Sequence, residues 1–590
     1  MPNRRQFLKS AAGLALGSQL IPSFAGRLSA DDRNVVQLSP EIEPLARLIE
    51  DTPRDKVFEA VATRLHDGVS YRQFLAALYL AGVRNVNPQP PGFKFHCVFV
   101  IHAAHQMSLD GRVQDRLLPL FQALDYFKDS QQRDVREGDF ELRPVTGRLP
   151  EGDAALKEFH DAMQSWDEER ADRAITALVR SSSAHQIIGG LWQYGARDYR
   201  NIGHKSVFVA NTWRTLQTIG WQHAEPALRS LVLGLLDFGP NERVNEFAFE
   251  DQCWLSNHRR SVDFSLSLHE ALRSRESQRG VTIDLLKTLR EAAPDECCKA
   301  AADLLTKGQA TGQAIWDAVH LAAGELMMRQ PGIYGIHTVT SSGGLRYAFE
   351  QATDPTTRGL LLLQGVGWMA QFRHFMATKR GGLQDTDIVS FSDAPEWKDR
   401  VTNADISQQI GQDIKQASTL AAAYAVQHGS DLSAFRSATA RSVTHKKSDA
   451  HHYKYASAIL EDYGRVSPEW RPHLLAASVY YRPGDNAPES PTAGRAQALL
   501  FGQTRKYLRT QRGRGDVIKP PRFRDRSGGD FRLAMGSPAI NAGETSKLVV
   551  DDASGLGRPL HGANEIGAFE FPEKSGSVRI LDWQELAAGR

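Results

Sequence analysis

The chain has 590 residues, 71 Lys and Arg against 69 Asp and Glu, a formal net charge of +2, and is 41% hydrophobic and 24% charged. This ordinary globular composition carries no electrostatic footprint for nucleic acid or an anionic membrane. Beyond the N-terminus no apolar run approaches the roughly 20 residues a spanning helix needs, so no transmembrane anchor is expected. Four cysteines (Cys97, Cys253, Cys297 and Cys298), none at CxxC spacing, do not make a disulfide scaffold.

Residues 1–30 read as a signal peptide. Asn3-Arg4-Arg5-Gln6-Phe7-Leu8-Lys9 precedes a weakly apolar run from Ala11 to Ile21, with small-residue cleavage positions at Ala25 or Ala30. Two arginines in this setting mark twin-arginine export, which carries proteins already folded. The expected address is the periplasm or cell envelope, and the expected first partner is the twin-arginine translocase.

Residues 31–378 form the main helical domain. Phe74–Ala81, Ala171–Arg180, Pro226–Phe238 and Ala314–Met328 carry apolar residues at three- and four-residue spacing, without strand-like alternation. Asn87–Gly92 and Gly239–Asn241 break the helices. Ser341-Ser342-Gly343-Gly344 reads as a loop; it lacks the lysine and spacing of a phosphate-binding loop. Residues 379–404 are a connector, and 405–500 complete the helical domain, with helix over Asp405–Gln427 and Ala450–Tyr481. Residues 501–527 are a basic linker with many arginines, and 573–590 a short tail.

The block 528–572 differs in kind. It contains Gly536-Ser537-Pro538-Ala539-Ile540-Asn541-Ala542-Gly543, then Gly557-Arg558-Pro559, then Asn564-Glu565-Ile566-Gly567-Ala568-Phe569-Glu570. This ordered set resembles the terminal motif of exported right-handed parallel β-helix proteins. No Gly/Asn/Asp-rich strand repeats precede it, so sugar-directed activity does not carry over, and a small β-rich appendage is expected. The fold class expected overall is mainly α: internally repeated helical hairpins or a bundle, plus this appendage. As a whole the chain resembles twin-arginine-exported bacterial proteins. Its histidine-bearing helical layout is loosely similar to the questin-oxidase-like family, and no residue is carried over from it.

A pattern recurs through the helical part. Arg116, Arg229, Arg358 and Arg471 each open an apolar run, and each is preceded by a histidine: His102, His204, His337 and His451. These histidines stand about 100 to 130 residues apart. Homologous hairpins packed around one axis would bring equivalent positions together. The candidate metal ligands are therefore His102, His204, His337 and His451, with His105 one helical turn from His102. His320 and Glu325 are further candidates, and Glu225 is the candidate proton-transfer carboxylate. An Arg197-Asp198-Arg200 cluster beside His204 is a candidate for orienting that ring. Imidazole suits iron, zinc, copper and nickel, and neighbouring carboxylates favour iron or zinc over copper. No HExxH, GxSxG or GxGxxG signature is present.

Two functions are compatible with this sequence. One is an exported metal-dependent oxidoreductase acting on a small-molecule substrate at a histidine-lined site between helical repeats. The other is a non-catalytic envelope binding or scaffold protein that uses the helices as an interaction surface. Inward-converging histidines favour the first, and surface-scattered histidines the second.

Overall fold

The computed structural model describes residues 34–510, apart from 198, 238–247, 263–267 and 394–399, and two short strands, Phe523–Asp525 and Asp530–Leu533. The export signal, the C-terminal tail, and the whole motif block Gly536–Glu570 lie outside the described residues. The two strands pair antiparallel, with Phe523 opposite Leu533.

The described residues are mainly helical, as the apolar spacing predicts. Nine helices matter for the site. They are α1 (Tyr71–Asn85), α2 (His96–Asp110), α3 (Leu118–Glu137), α4 (His204–Ile219), α5 (Gly312–Arg329), α6 (Ile333–Gln351), α7 (Pro355–Lys379), α8 (Ala450–Arg465) and α9 (Arg471–Ser478). Their starts are fixed locally. The Ser70, Thr311, Asp354 and Asp449 side chains cap the first turns of α1, α5, α7 and α8. Pro355 occupies the first position of α7, where its missing N–H costs nothing.

Consecutive helices pack as hairpins: α2 on α3, α5 on α6, α6 on α7, and α8 on α9. At the centre α2, α8, α6 and α4 touch in a closed ring, each packed on the next and α4 back on α2. Trp316 and Trp368, on α5 and α7, are fully buried. Arg84 of α1 is also fully buried. It bonds Glu50 and Glu43 of the N-terminal helix Glu43–Asp51, a pairing that a buried guanidinium requires.

Ser341–Gly344 departs from its expected loop. It lies buried inside α6, where small side chains let α4 approach. A Cβ on Gly344 would sit 3.1 Å from the Ser206 backbone of α4. Small residues here serve helix-to-helix contact rather than a turn. The expected helix over Asp405–Gln427 is two helices, Asn403–Gln409 and Ile414–His428, parted at Gly411, whose φ is +87°. The stretch Ala450–Tyr481 divides between α8 and α9, where Ser467-Pro468 interrupts the helical hydrogen bonding. The last helix, Pro491–Thr510, runs into the segment read as a basic linker. Among the described residues no helix is long and apolar enough to cross a membrane.

Candidate metal centre

Each helix of the central ring carries a histidine in its first turns. His96 and His204 are the first residues of α2 and α4, His337 is one turn into α6, and His451 is the second residue of α8. His96, His204 and His337 converge: one ligand atom from each lies within 4.8 Å of the other two. His204 Nε2 stands 3.1 Å from His96 Nε2 and 2.8 Å from His337 Nε2. All three residues are buried.

The backbone fixes which nitrogen faces the cluster. His96 Nδ1 donates to the Phe93 carbonyl at 2.7 Å, His204 Nδ1 to the Asn201 carbonyl at 2.5 Å, and His337 Nδ1 to the Ile333 carbonyl at 2.6 Å. A carbonyl only accepts, so each Nδ1 carries the ring proton and each neutral ring turns its Nε2 lone pair inward. Two of those carbonyls sit in unusual backbone. Phe93 has a φ of +45°, and Asn201, Ile202 and Gly203 form three consecutive left-handed residues. Gly203 admits nothing larger, because a Cβ there would lie 2.5 Å from the Ser341 Cβ. Such conformations cost free energy and persist where the surroundings dictate them.

Burial pushes the pKa of all three imidazoles well below the usual range, and the Lys454 ammonium lowers each further. Three neutral, lone-pair-inward imidazoles at these separations repel one another unless something electrophilic sits between them. Zinc–nitrogen bonds of about 2.0–2.1 Å in tetrahedral array place nitrogens about 3.4 Å apart, wider than the 3.1 and 2.8 Å between the facing Nε2 atoms here. The buried His96–His204–His337 group can hold a metal ion. Phe99 stacks on His204 with ring centroids 5.7 Å apart, and Phe95 and Phe208 pack beside it, giving one side an apolar wall.

His451 stands beside the group as a fourth imidazole, its ring centroid 4.7 Å from that of His96 and 5.6 Å from that of His337. Its Nδ1 lies 3.5 Å from the Asp449 carboxylate. Burial opposes ionisation of Asp449, but its hydrogen bonds to His451 and His452 outweigh burial and hold the carboxyl well below its usual range.

Of the residues expected from sequence, the structure brings His204 and His337 together and sets His451 next to them. His102 lies further along α2 and lines a separate small cavity with Lys454 and Arg214. His105 Nδ1 is 2.9 Å from the Tyr71 hydroxyl. Glu225 is held by Arg180 at 3.0 and 3.1 Å. Glu325 pairs with Arg290 and Arg329, and His320 faces Asp462 at 3.3 Å. Arg200 pairs with Asp251, and Arg197 donates to the Met163 and Leu235 carbonyls, so the ring of His204 is oriented by Asn201 instead. Arg229, one of the recurring arginines, clamps Asp172 and the Arg143 carbonyl.

His96 is the member that sequence reasoning passed over. Its signal was a glycine near a helix start: Gly92, Gly203 and Gly332, all at positive φ, stand four, one and five residues before His96, His204 and His337. No family model, curated protein or solved structure matches this chain.

Proposed function

We propose that this chain is an exported, metal-dependent oxidoreductase whose ion is held by His96, His204 and His337. One observation carries the reading: three buried imidazoles, each with its proton committed to a backbone carbonyl, aim their free Nε2 atoms at one another. The histidines converge inward, as a site requires and a surface scaffold does not. Three imidazoles also leave a coordination position open, the mark of a catalytic rather than a closed structural site.

Imidazole ligation suits iron, zinc and copper alike; an oxidoreductase role favours iron, and zinc would serve only as a Lewis acid. Once bound, such an ion would supply electron transfer or Lewis acidity toward a substrate oxygen. The chain's own contributions are more specific. Phe95, Phe99 and Phe208 keep water from one side of the cluster. Asp449 places negative charge next to His451. Lys454, whose ammonium is lowered by burial to about 7, is a group able to hold or release a proton close to the histidines. Glu225, committed to Arg180, is not needed in this reading. The recurrence of a histidine at the start of four helices supports internally repeated hairpins, and folded export suits a protein loaded with its ion beforehand.

The test is elemental mass spectrometry of the natively exported protein beside a His204→Ala/His337→Ala double variant. One equivalent of transition metal in the wild type, lost in the variant, is expected. A folded wild type free of metal would overturn the centre and return the chain to the scaffold reading. Zinc in place of iron would redirect the proposal from redox to hydrolytic chemistry.

A further inference from the structure

The four histidine helices share a second feature. Following each stripe onward from its histidine leads from His204 to Val207, Asn211 and Arg214, from His337 to Thr340 and Gly344, and from His451 to Lys454, Ser457, Ala458 and Glu461. These residues, with His102 and Ala103 of α2, line one cavity of about 30 Å³. In every helix the histidine precedes the cavity residues, so all four run parallel here, with the cavity one to three turns inward from the cluster.

The lining mixes apolar and polar side chains, and three of its buried polar groups are not used. Lys454 is 4% exposed and its Nζ has no hydrogen-bond partner among the described residues. His102 Nδ1 and Thr340 Oγ1 are likewise buried without partners there. An unpaired ammonium at such depth is costly, and native proteins keep such groups where a ligand, ion or water completes them. The charges facing the space are Lys454, Arg214 and Glu461. The Glu461 carboxylate already accepts from Arg214 at 2.7 Å and from Arg465 at 2.9 Å. Arg214 also reaches Asn211 Oδ1, and Asn211 donates to the Phe99 carbonyl. Of the three, Lys454 is the one with no hydrogen-bonded ion pair, Asp449 supporting its charge only through space. A cavity of this size holds about two waters, or the three heavy atoms of one carboxylate group.

We propose that this cavity is a binding site for a small oxyanion, taken as a carboxylate group, that accepts from Lys454 Nζ, with Thr340 and His102 completing its contacts. Assigning that carboxylate to the substrate rests on the oxidoreductase reading above; the binding itself does not.

The probe is isotopically labelled formate, followed by NMR line width and chemical shift on the full-length protein, with formamide as the neutral counterpart. Metal content is measured in parallel, and the titration is run on both chelator-treated and metal-loaded protein. Saturable formate binding in both forms is expected, with formamide binding far more weakly. Lys454→Met should weaken formate about tenfold or more, the worth of one charge-assisted hydrogen bond, and Thr340→Val by a smaller factor, with neither variant losing metal relative to wild type. Equal binding of formate by wild type and Lys454→Met, or of formate and formamide by wild type, would overturn the site. Binding seen only after metal loading would assign formate to the ion and equally overturn it. A chain that binds formate but no metal would retain the oxyanion site and remove the metal centre.

Discussion

Replacing Lys454 by Met is expected to stabilise the protein, against the usual result for a buried position. Burial lowers the Lys454 ammonium from 10.5 to about 7, with Asp449 opposing the change only in part. The proton therefore binds this amine more tightly in the unfolded chain than in the fold. Charging it in the fold costs stability in full at and below about pH 7, and the cost fades as pH rises toward 10.5. Every tenfold loss of proton affinity is worth about 1.4 kcal/mol, so the penalty is at most about 5 kcal/mol at neutral pH. Methionine keeps most of the apolar stem and carries no charge, and no hydrogen bond is lost because Nζ makes none. Urea unfolding of chelator-treated wild type and Lys454→Met, in carboxylate-free buffers at several pH values from 7 to 10, reads the difference directly. The variant's advantage should be largest at the lowest pH and shrink toward zero at the highest. A variant less stable than wild type at pH 7, or an advantage that ignores pH, would refute the reasoning.

Two further outcomes follow from the same geometry. Gly203→Ala forces a β-carbon to 2.5 Å from Ser341 at a φ of +76°, so a loss of about 2–4 kcal/mol is expected on thermal unfolding. The metal titration should weaken as well, because the preceding turn sets the carbonyl that orients His204. Metal retention should also survive acidification through the ordinary imidazole range. Ligands must be unprotonated, and His96, His204 and His337 all have pKa values well below 6.5. Metal content after equilibration at pH 5.5 should match that at pH 7.5, and loss of metal centred on pH 6.5 would show that the rings titrate as if exposed.

The helices and the idea of convergence were legible in the sequence; which face of each helix turned inward was legible only in part. His204, His337 and His451 each precede a recurring arginine that opens an apolar run, and counting back from that arginine finds them. On α2 the same count lands on His102, because three histidines share one nearly all-apolar helix and periodicity cannot rank their faces when most positions are buried. The deciding cue was backbone chemistry. A positive-φ glycine shortly before the histidine and a nearby backbone carbonyl accepting from Nδ1 occur together at both, Gly92 with the Phe93 carbonyl at His96 and Gly203 with the Asn201 carbonyl at His204. Ser341–Gly344 misled for a related reason. Small residues signal a turn when exposed and a helix crossing when buried, and burial is set by α4, more than a hundred residues earlier in the chain.

The parallel ring also constrains what the centre accepts. Four helix N-termini and the Lys454 ammonium together create positive potential around three neutral imidazoles. Against this stand the Asp449 carboxylate at the edge and, deeper in, a Glu461 already shared between two arginines. A bare divalent ion would meet opposition in that field, while an ion accompanied by an anion would not. The histidine cluster and the oxyanion cavity then act on each other: a carboxylate beside Lys454 neutralises charge that weakens the metal, and the metal's charge strengthens the carboxylate. Linkage makes this reciprocal, so formate should tighten metal binding by the same factor by which metal tightens formate. Lys454→Met, which removes the opposing charge at its source, should raise metal affinity even without formate and abolish most of that coupling.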